Sequence, residues 1–205
     1  MTEFEKMSAG KLYDTSDKEL AKMRGKAHKL SKDYNDTYED EEQKRAEILG
    51  ALCPNLGKGS YLQGPLQFDY GVNFFTGENC YANFNLTVLD CAPVRLGNDV
   101  FIGPNCQLVP PVHPLLCKER KMRFKDDGTA YDIEYAKPIV VKDGVWLASG
   151  VTVCGGVTIG ENSVIGAGSV VTKDIPDNVF AAGNPCRVIR KITEHDSVYL
   201  KKELL

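Results

Sequence analysis

The sequence predicts an all-β chain: a parallel β-helix of hexapeptide repeats, with a helical N-terminal region in front of it and one long inserted loop. Two observations predict it. Stepping by six from Val141 meets Val141, Leu147, Val153, Ile159, Ile165 and Val171, an unbroken aliphatic series. The apolar pulses are short, and Gly, Asn and Asp separate them from about residue 60 onward. A period of six is too short for a helical repeat unit and fits one strand plus one turn. Three hexads then close a triangular coil, and each aliphatic side chain stacks on its counterpart one coil away.

Residues 1–55 read as a helical cap rich in Lys, Glu, Asp and Ala. Ser16-Asp17-Lys18-Glu19 has the pattern of a capping box and starts a helix that runs to about Tyr34. Thr37-Tyr38-Glu39-Asp40 starts another, with acids favourably placed in its first turn and a stop at Gly50 and Pro54. The charged run from Glu39 to Arg45 is expected to be its solvated face. Residues 56–183 carry the repeats. Four residues after each aliphatic stand Val145, Val151, Val157, Ser163, Ser169 and Ile175, so the second inward position is small or branched. Leu96, Ile102 and Leu108 repeat the phase earlier in the chain, and between the two blocks the register breaks at a loop, 114–137. A loop of that length leaving a tight coil is expected to be functional. Residues 184–205 form a tail, which with the N-terminal region is a candidate cap for the stacked core. Phe74, Phe84 and Phe180 are expected to face outward.

With 25 Lys+Arg against 28 Asp+Glu, the formal charge is −3, and 42% of residues are hydrophobic. That balance suits a soluble globular chain and argues against wholesale nucleic-acid binding, which calls for a basic excess or stripe. No run of about 18 apolar residues occurs, and Met1 to Lys6 lacks a basic segment followed by an apolar one, so a cytoplasmic protein without a membrane partner is expected. Seven cysteines form no Cys-x-x-Cys pair and read as small buried side chains in a reducing compartment. No Gly-x-x-x-x-Gly-Lys-Ser/Thr loop occurs.

The three histidines are His28, His113 and His195. His28 in its basic helical run and His195 in the tail read as solvated surface residues. The repeats therefore cannot supply the three histidine ligands of a zinc hydratase, and no metal is expected. His113 stands where the register breaks, after Pro110-Pro111. Taken alone, it fits a structural role or a catalytic one.

The run Ile159-Gly160-Glu161-Asn162-Ser163-Val164-Ile165-Gly166-Ala167-Gly168-Ser169, with Ala182-Gly183-Asn184-Pro185-Cys186-Arg187, resembles the hexapeptide-repeat acyltransferases. Tyr81-Ala82-Asn83-Phe84-Asn85, Val112-His113-Pro114 and Ala9-Gly10-Lys11-Leu12-Tyr13 resemble their maltose and galactoside O-acetyltransferase branch. The resemblance implies a left-handed β-helix, a homotrimer with active sites between subunits, acetyl-CoA as donor and a sugar acceptor. It implies His113 as general base and Asn83 at the reacting centre, orienting the acceptor hydroxyl or stabilising charge. For acetyl-CoA it implies Asn83, Ser149 and Ala167, with Thr172, Lys173, Arg187 and Arg190 at the nucleotide end; Trp146, which follows an inward valine and so should point outward, is expected either to flank the pantetheine arm or to pack between subunits. For the acceptor it implies Asp14, Asp69, Tyr81, Asp90 and Glu134, with Asp17 an alternative to Asp14. Galactoside enzymes commonly carry serine where Asp69 stands and aspartate where Cys91 stands. Asp69 and the Ala9–Tyr13 motif lean toward the maltose type. Another acceptor, such as serine, an amino sugar or an antibiotic, and a non-catalytic trimeric scaffold are the competing readings.

Overall fold

The computed structural model describes residues 1–204. The repeats build a three-faced solenoid of parallel strands. The first face stacks Phe74–Thr76, Val94–Leu96, Ile139–Val141 and Thr158–Ile159. The second stacks Tyr61–Leu62, Tyr81–Ala82, Phe101–Ile102, Trp146–Leu147, Val164–Ile165 and Val179–Ala182. The third stacks Leu66–Phe68, Leu86–Val88, Gln107–Val109, Thr152–Cys154 and Val170–Val171. Val141 pairs with Ile159, Leu147 with Ile165 and Val153 with Val171, so three hexads complete one coil. Leu96, Ile102 and Leu108 pair with Val141, Leu147 and Val153 in turn, so the inserted loop leaves the register of the coils intact.

The inward aliphatics of the hexad series are fully buried, and burying each such side chain contributes roughly 1.5–3 kcal/mol. Near the C-terminal end Ser163 and Ser169 take the second inward position. Each is buried because its hydroxyl both donates and accepts: Ser163 to Pro176 O and from Val179 N, Ser169 to Gly166 O and from Gly183 N. At one corner, successive coils place Gly59, Asn79, Asp99, Gly144, Asn162 and Asn178 in the left-handed region. Most side chains are strained there, which is the reason for the Gly/Asn/Asp punctuation of the sequence.

Three helices precede the coils: α1 (Glu3–Ser8), α2 (Lys18–Asn35) and α3 (Glu42–Leu52). The helix starts differ from expectation. Asp17, not Ser16, caps α2, accepting from Glu19 N and Leu20 N at 3.0 Å, while the Ser16 hydroxyl turns back to Asp14. Helix α3 begins after Glu41, because Thr37 is spent closing the end of α2 on Tyr34 O, and it continues through Gly50 to Leu52. Arg45 is buried rather than solvated. Its guanidinium lies 4.3 Å from the Tyr34 ring centroid and donates to Tyr34 Oη, Thr37 Oγ1 and Gln63 O, fastening α3 to the first coil. Asn35 brackets Leu66 with two 2.8 Å bonds, and Ala27, Tyr34, Leu49 and Leu52 join the coil core. The cap thus continues the solenoid's apolar column.

Phe74 points into the core with no exposure, correcting the outward assignment; Phe84 is exposed and Phe180 half-buried. Five cysteines are buried, Cys154 is half-buried and Cys117 exposed, and all seven are free thiols. The tail strand Arg187–Lys191 folds back antiparallel on Val179–Ala182 and extends the second face. Among the described residues no helix is long and apolar enough to cross a membrane.

Candidate active site

The inserted loop is not structureless. It contains a helical turn, Cys117–Arg120, and a hairpin of Arg123–Phe124 with Ala130–Tyr131, and it ends in strand Ile133–Ala136. That last strand is the centre of a small antiparallel sheet, with Pro111–Val112 on one side and Tyr13–Asp14 of the cap on the other. The register sets Tyr13 opposite Glu134 and Val112 opposite Tyr135. His113, the residue after Val112, therefore emerges beside Glu134. Its Nε2 lies 3.4 Å from Glu134 Oε2 and its Nδ1 3.7 Å from Asp132 Oδ2. The imidazole is half exposed, whereas the Glu134 side chain is 12% exposed. The Tyr13 hydroxyl donates to Glu134 Oε1.

Burial pushes the Glu134 carboxyl from its ordinary 4.5 up to about 7. A raised carboxyl pKa means that the folded chain holds the proton more tightly than the unfolded chain. Folding stability is therefore undiminished below about pH 4.5 and falls as pH rises toward 7, by roughly 3 kcal/mol for a shift of that size. Glu134→Gln removes the penalty and keeps an acceptor for Tyr13. Thermal melts are expected to show the variant more stable than wild type at pH 8 and indistinguishable from it at pH 4; equal melting at pH 8 would show that Glu134 is not held near neutrality.

The other acceptor candidates divide. Asp14 binds Lys125 Nζ at 2.6 Å and accepts from the Ser16 amide and hydroxyl. Burial acts to raise its pKa, but these donors outweigh it and hold the carboxyl below its usual range. Asp17 is occupied as the cap of α2. Asp69 follows strand Leu66–Phe68 and is reached by Cys91 Sγ at 3.8 Å; the same thiol lies 3.9 Å from Glu134 Oε1. Asp90 does not face an acceptor. It has no exposure, its Oδ1 accepts from Tyr70 N at 2.8 Å and its Oδ2 from Asn73 N at 3.0 Å, so it clamps a turn beneath the site. Within one chain Tyr81 stands apart from these carboxylates, on the outer side of the second face, in an aromatic column with Tyr61 and Phe101 at centroid distances of 6.3 and 6.2 Å.

Tyr81 and Phe101 of that column wall a groove of about 610 Å³ that Asn83, Trp146, Ser149 and Ala167 also line. The corner position after the four middle second-face strands is occupied in turn by Phe84, Pro104, Ser149 and Ala167. The residues on either side of it bond to the neighbouring coils, as Ala148 N does to Ile165 O on the following coil and Gly150 N to Pro104 O on the preceding one. Among the described residues the Ser149 and Ala167 N–H groups have no such partner, so both remain donors on the groove wall. Asn83 Oδ1 accepts from Phe84 N at 2.7 Å. Since that backbone group can only donate, the amide orientation is determined and Asn83 Nδ2 is left to the groove. Trp146 is 51% exposed there.

Thr172 and Lys173 are exposed just beyond the strand Val170–Val171. Arg187 folds onto Cys186 O. Arg190 is not a free cation: both its terminal nitrogens bind Asp196, at 2.8 and 2.6 Å, and Arg190 pushes the Asp196 carboxyl down to about 2. Two further residues lie at the site, although sequence patterns assign Arg24 no role and mark His28 only as a solvated surface residue. Arg24 donates to Tyr70 Oη at 2.9 Å, and His28 Nε2 lies 3.6 Å from Asp69 Oδ1. They stand four apart on α2, a spacing that puts them on one helical face and could have flagged them.

Residues 6–57 match the maltose acetyltransferase hexapeptide capping motif, and residues 138–173 match six repeats of the bacterial transferase hexapeptide. The galactoside O-acetyltransferase of Escherichia coli is 41% identical over 97% of this chain and 94% of its own length. This chain belongs to the maltose and galactoside O-acetyltransferase branch of the hexapeptide-repeat acyltransferases. The solenoid is accordingly the left-handed β-helix of that family. The crystal structure of a maltose O-acetyltransferase from Clostridium difficile 630 superposes with a TM-score of 0.86 at 44% identity, covering 95% of this chain and 99% of that one. A galactoside acetyltransferase in complex with coenzyme A superposes equally well, with a TM-score of 0.86 at 40% identity over 96% and 94% of the two chains.

Proposed function

We propose that this chain is an acetyl-CoA-dependent O-acetyltransferase that acetylates a hydroxyl of a maltose-type or glucose-type sugar, with His113 as general base. The observation that carries the reading is His113 itself, an exposed imidazole held against covered carboxylates at the one break in the repeats. An alcohol is a poor nucleophile until its proton leaves during attack, and imidazole is the side chain able to take that proton near neutrality. The acceptor oxygen attacks the thioester carbonyl as His113 takes its proton, giving a tetrahedral oxyanion. Collapse expels the CoA thiolate, which recovers the proton from His113, so no acyl-enzyme forms and the thiols of the chain stay out of the chemistry.

The oxyanion needs donors fixed in advance. The Ser149 N–H and Asn83 Nδ2 supply them, the Ala167 N–H holds the pantetheine arm, Trp146 flanks it, and Thr172, Lys173 and Arg187 meet the nucleotide end. Within one chain the strand Gln107–Val109 runs between the groove corner at Pro104 and His113, so groove and base stand at different corners of the triangular coil. A reaction centre that needs both forms between chains, and the assembly is a homotrimer in which one chain's groove faces its neighbour's His113. Seven free thiols fit a cytoplasmic enzyme.

The test is thiol release from acetyl-CoA with glucose, maltose, a galactoside and serine as parallel acceptors. Glucose or maltose is expected to drive turnover well beyond the others. Preference for serine would move the acceptor to another class, and failure to bind acetyl-CoA would replace the enzyme with a scaffold.

A further inference from the structure

The contacts around Asp69 connect two histidines. His28 Nε2 lies 3.6 Å from Asp69 Oδ1; Cys91 Sγ reaches Asp69 Oδ2 at 3.8 Å and Glu134 Oε1 at 3.9 Å; and Glu134 Oε2 lies 3.4 Å from His113 Nε2. The ends of this row are open and its middle is covered. The side chains of His28 and His113 are 54% and 50% exposed, Asp69 and Glu134 are 23% and 12% exposed, and Cys91 is buried. A solvated histidine on a helix would need no such placement. Here α2 lays His28 against the carboxylate at the far end of the floor that leads to the base.

We infer that His28 and Asp69 form an acceptor-recognition pair, with His28 a specificity-determining residue for a neutral polyhydroxylated acceptor. The inference rests on the sugar-acetyltransferase reading above. A sugar hydroxyl is both donor and acceptor, and a carboxylate beside an imidazole N–H offers the complementary set: Asp69 accepts from the hydroxyl and His28 donates to it. The Cys91 thiol holds Asp69 Oδ2, so Oδ1 and the imidazole beside it are what an incoming ring meets. An acceptor carrying its own carboxylate, such as serine, is repelled by Asp69.

The experiment compares wild type, His28→Ala and His28→Gln in thiol release from acetyl-CoA, with maltose, glucose and a set of monodeoxyglucoses as acceptors. Losing one hydrogen bond to the acceptor should raise its KM about tenfold in His28→Ala, with kcat, the KM for acetyl-CoA and the melting temperature within about twofold or a degree or two of wild type. His28→Gln, which keeps a donor, should recover most of the loss. One monodeoxyglucose, lacking the hydroxyl that His28 meets, should show the same KM with wild type and His28→Ala. A wild type active on glucose with an unchanged acceptor KM in His28→Ala overturns this inference alone, as does a loss that falls equally on acetyl-CoA. A wild type that turns over no sugar overturns both it and the reading on which it rests.

Discussion

Replacing His113 by alanine lowers kcat for acetyl transfer by about 10²–10⁴-fold while leaving the KM for acetyl-CoA near its wild-type value. The direction follows from what the imidazole does not do for the fold. It is half exposed, outside the buried core, and its ring nitrogens lie beside Glu134 and Asp132, so its removal costs no core packing, and the donor groove on the second face is built from other residues. The loss must therefore appear in the chemical step. Steady-state rates with the best acceptor, together with acetyl-CoA binding by calorimetry, separate the terms. A variant within about threefold of wild type in kcat would end the general-base assignment, since base catalysis contributes far more than that.

The second large effect is on stability and falls at Asp90. Asp90→Asn is expected to cost about 3–5 kcal/mol, because the side-chain NH2 must face one of the backbone N–H groups that the carboxylate now accepts, leaving buried donors opposed and unpaired. Thermal or urea unfolding reads the loss directly. At a temperature where the variant remains folded, its KM for the acceptor should match wild type. An unchanged melting temperature with a raised acceptor KM would return Asp90 to the acceptor wall, from which its lack of exposure now removes it.

Asp90 shows where sequence reading stops. An aspartate among turn residues beside an acceptor motif reads alike whether it meets a ligand or its own backbone, and only burial distinguishes the two. Arg45 gives the same lesson in reverse. A basic residue within a charged run reads as solvated, and the ring of Tyr34 and the carbonyl of Gln63, eleven and eighteen residues away, are what let it be buried. The caps erred by less: Asp17 took the role read at Ser16 because, one residue closer to the helix, it reaches two free amides rather than one.

By itself the sequence determined the coils. Each residue of the hexad series meets nearly the same surroundings as its counterpart one coil away, so the requirement for an aliphatic recurs at a fixed spacing and is visible without coordinates. It also determined that His113 sits at the break and that Trp146, following an inward valine, points outward; Asn83, Ser149 and Ala167 came from the family resemblance, and the coils bring them to the same groove as Trp146. Only the tertiary structure decided what surrounds His113. Glu134 reaches it through a sheet that joins the cap to the loop across a separation of 121 residues, and His28 reaches Asp69 only because α2 packs on the first coil. These contacts come from non-repeating segments laid against a repeating one. No period carries them, and their partners exist only once the cap and the loop have packed.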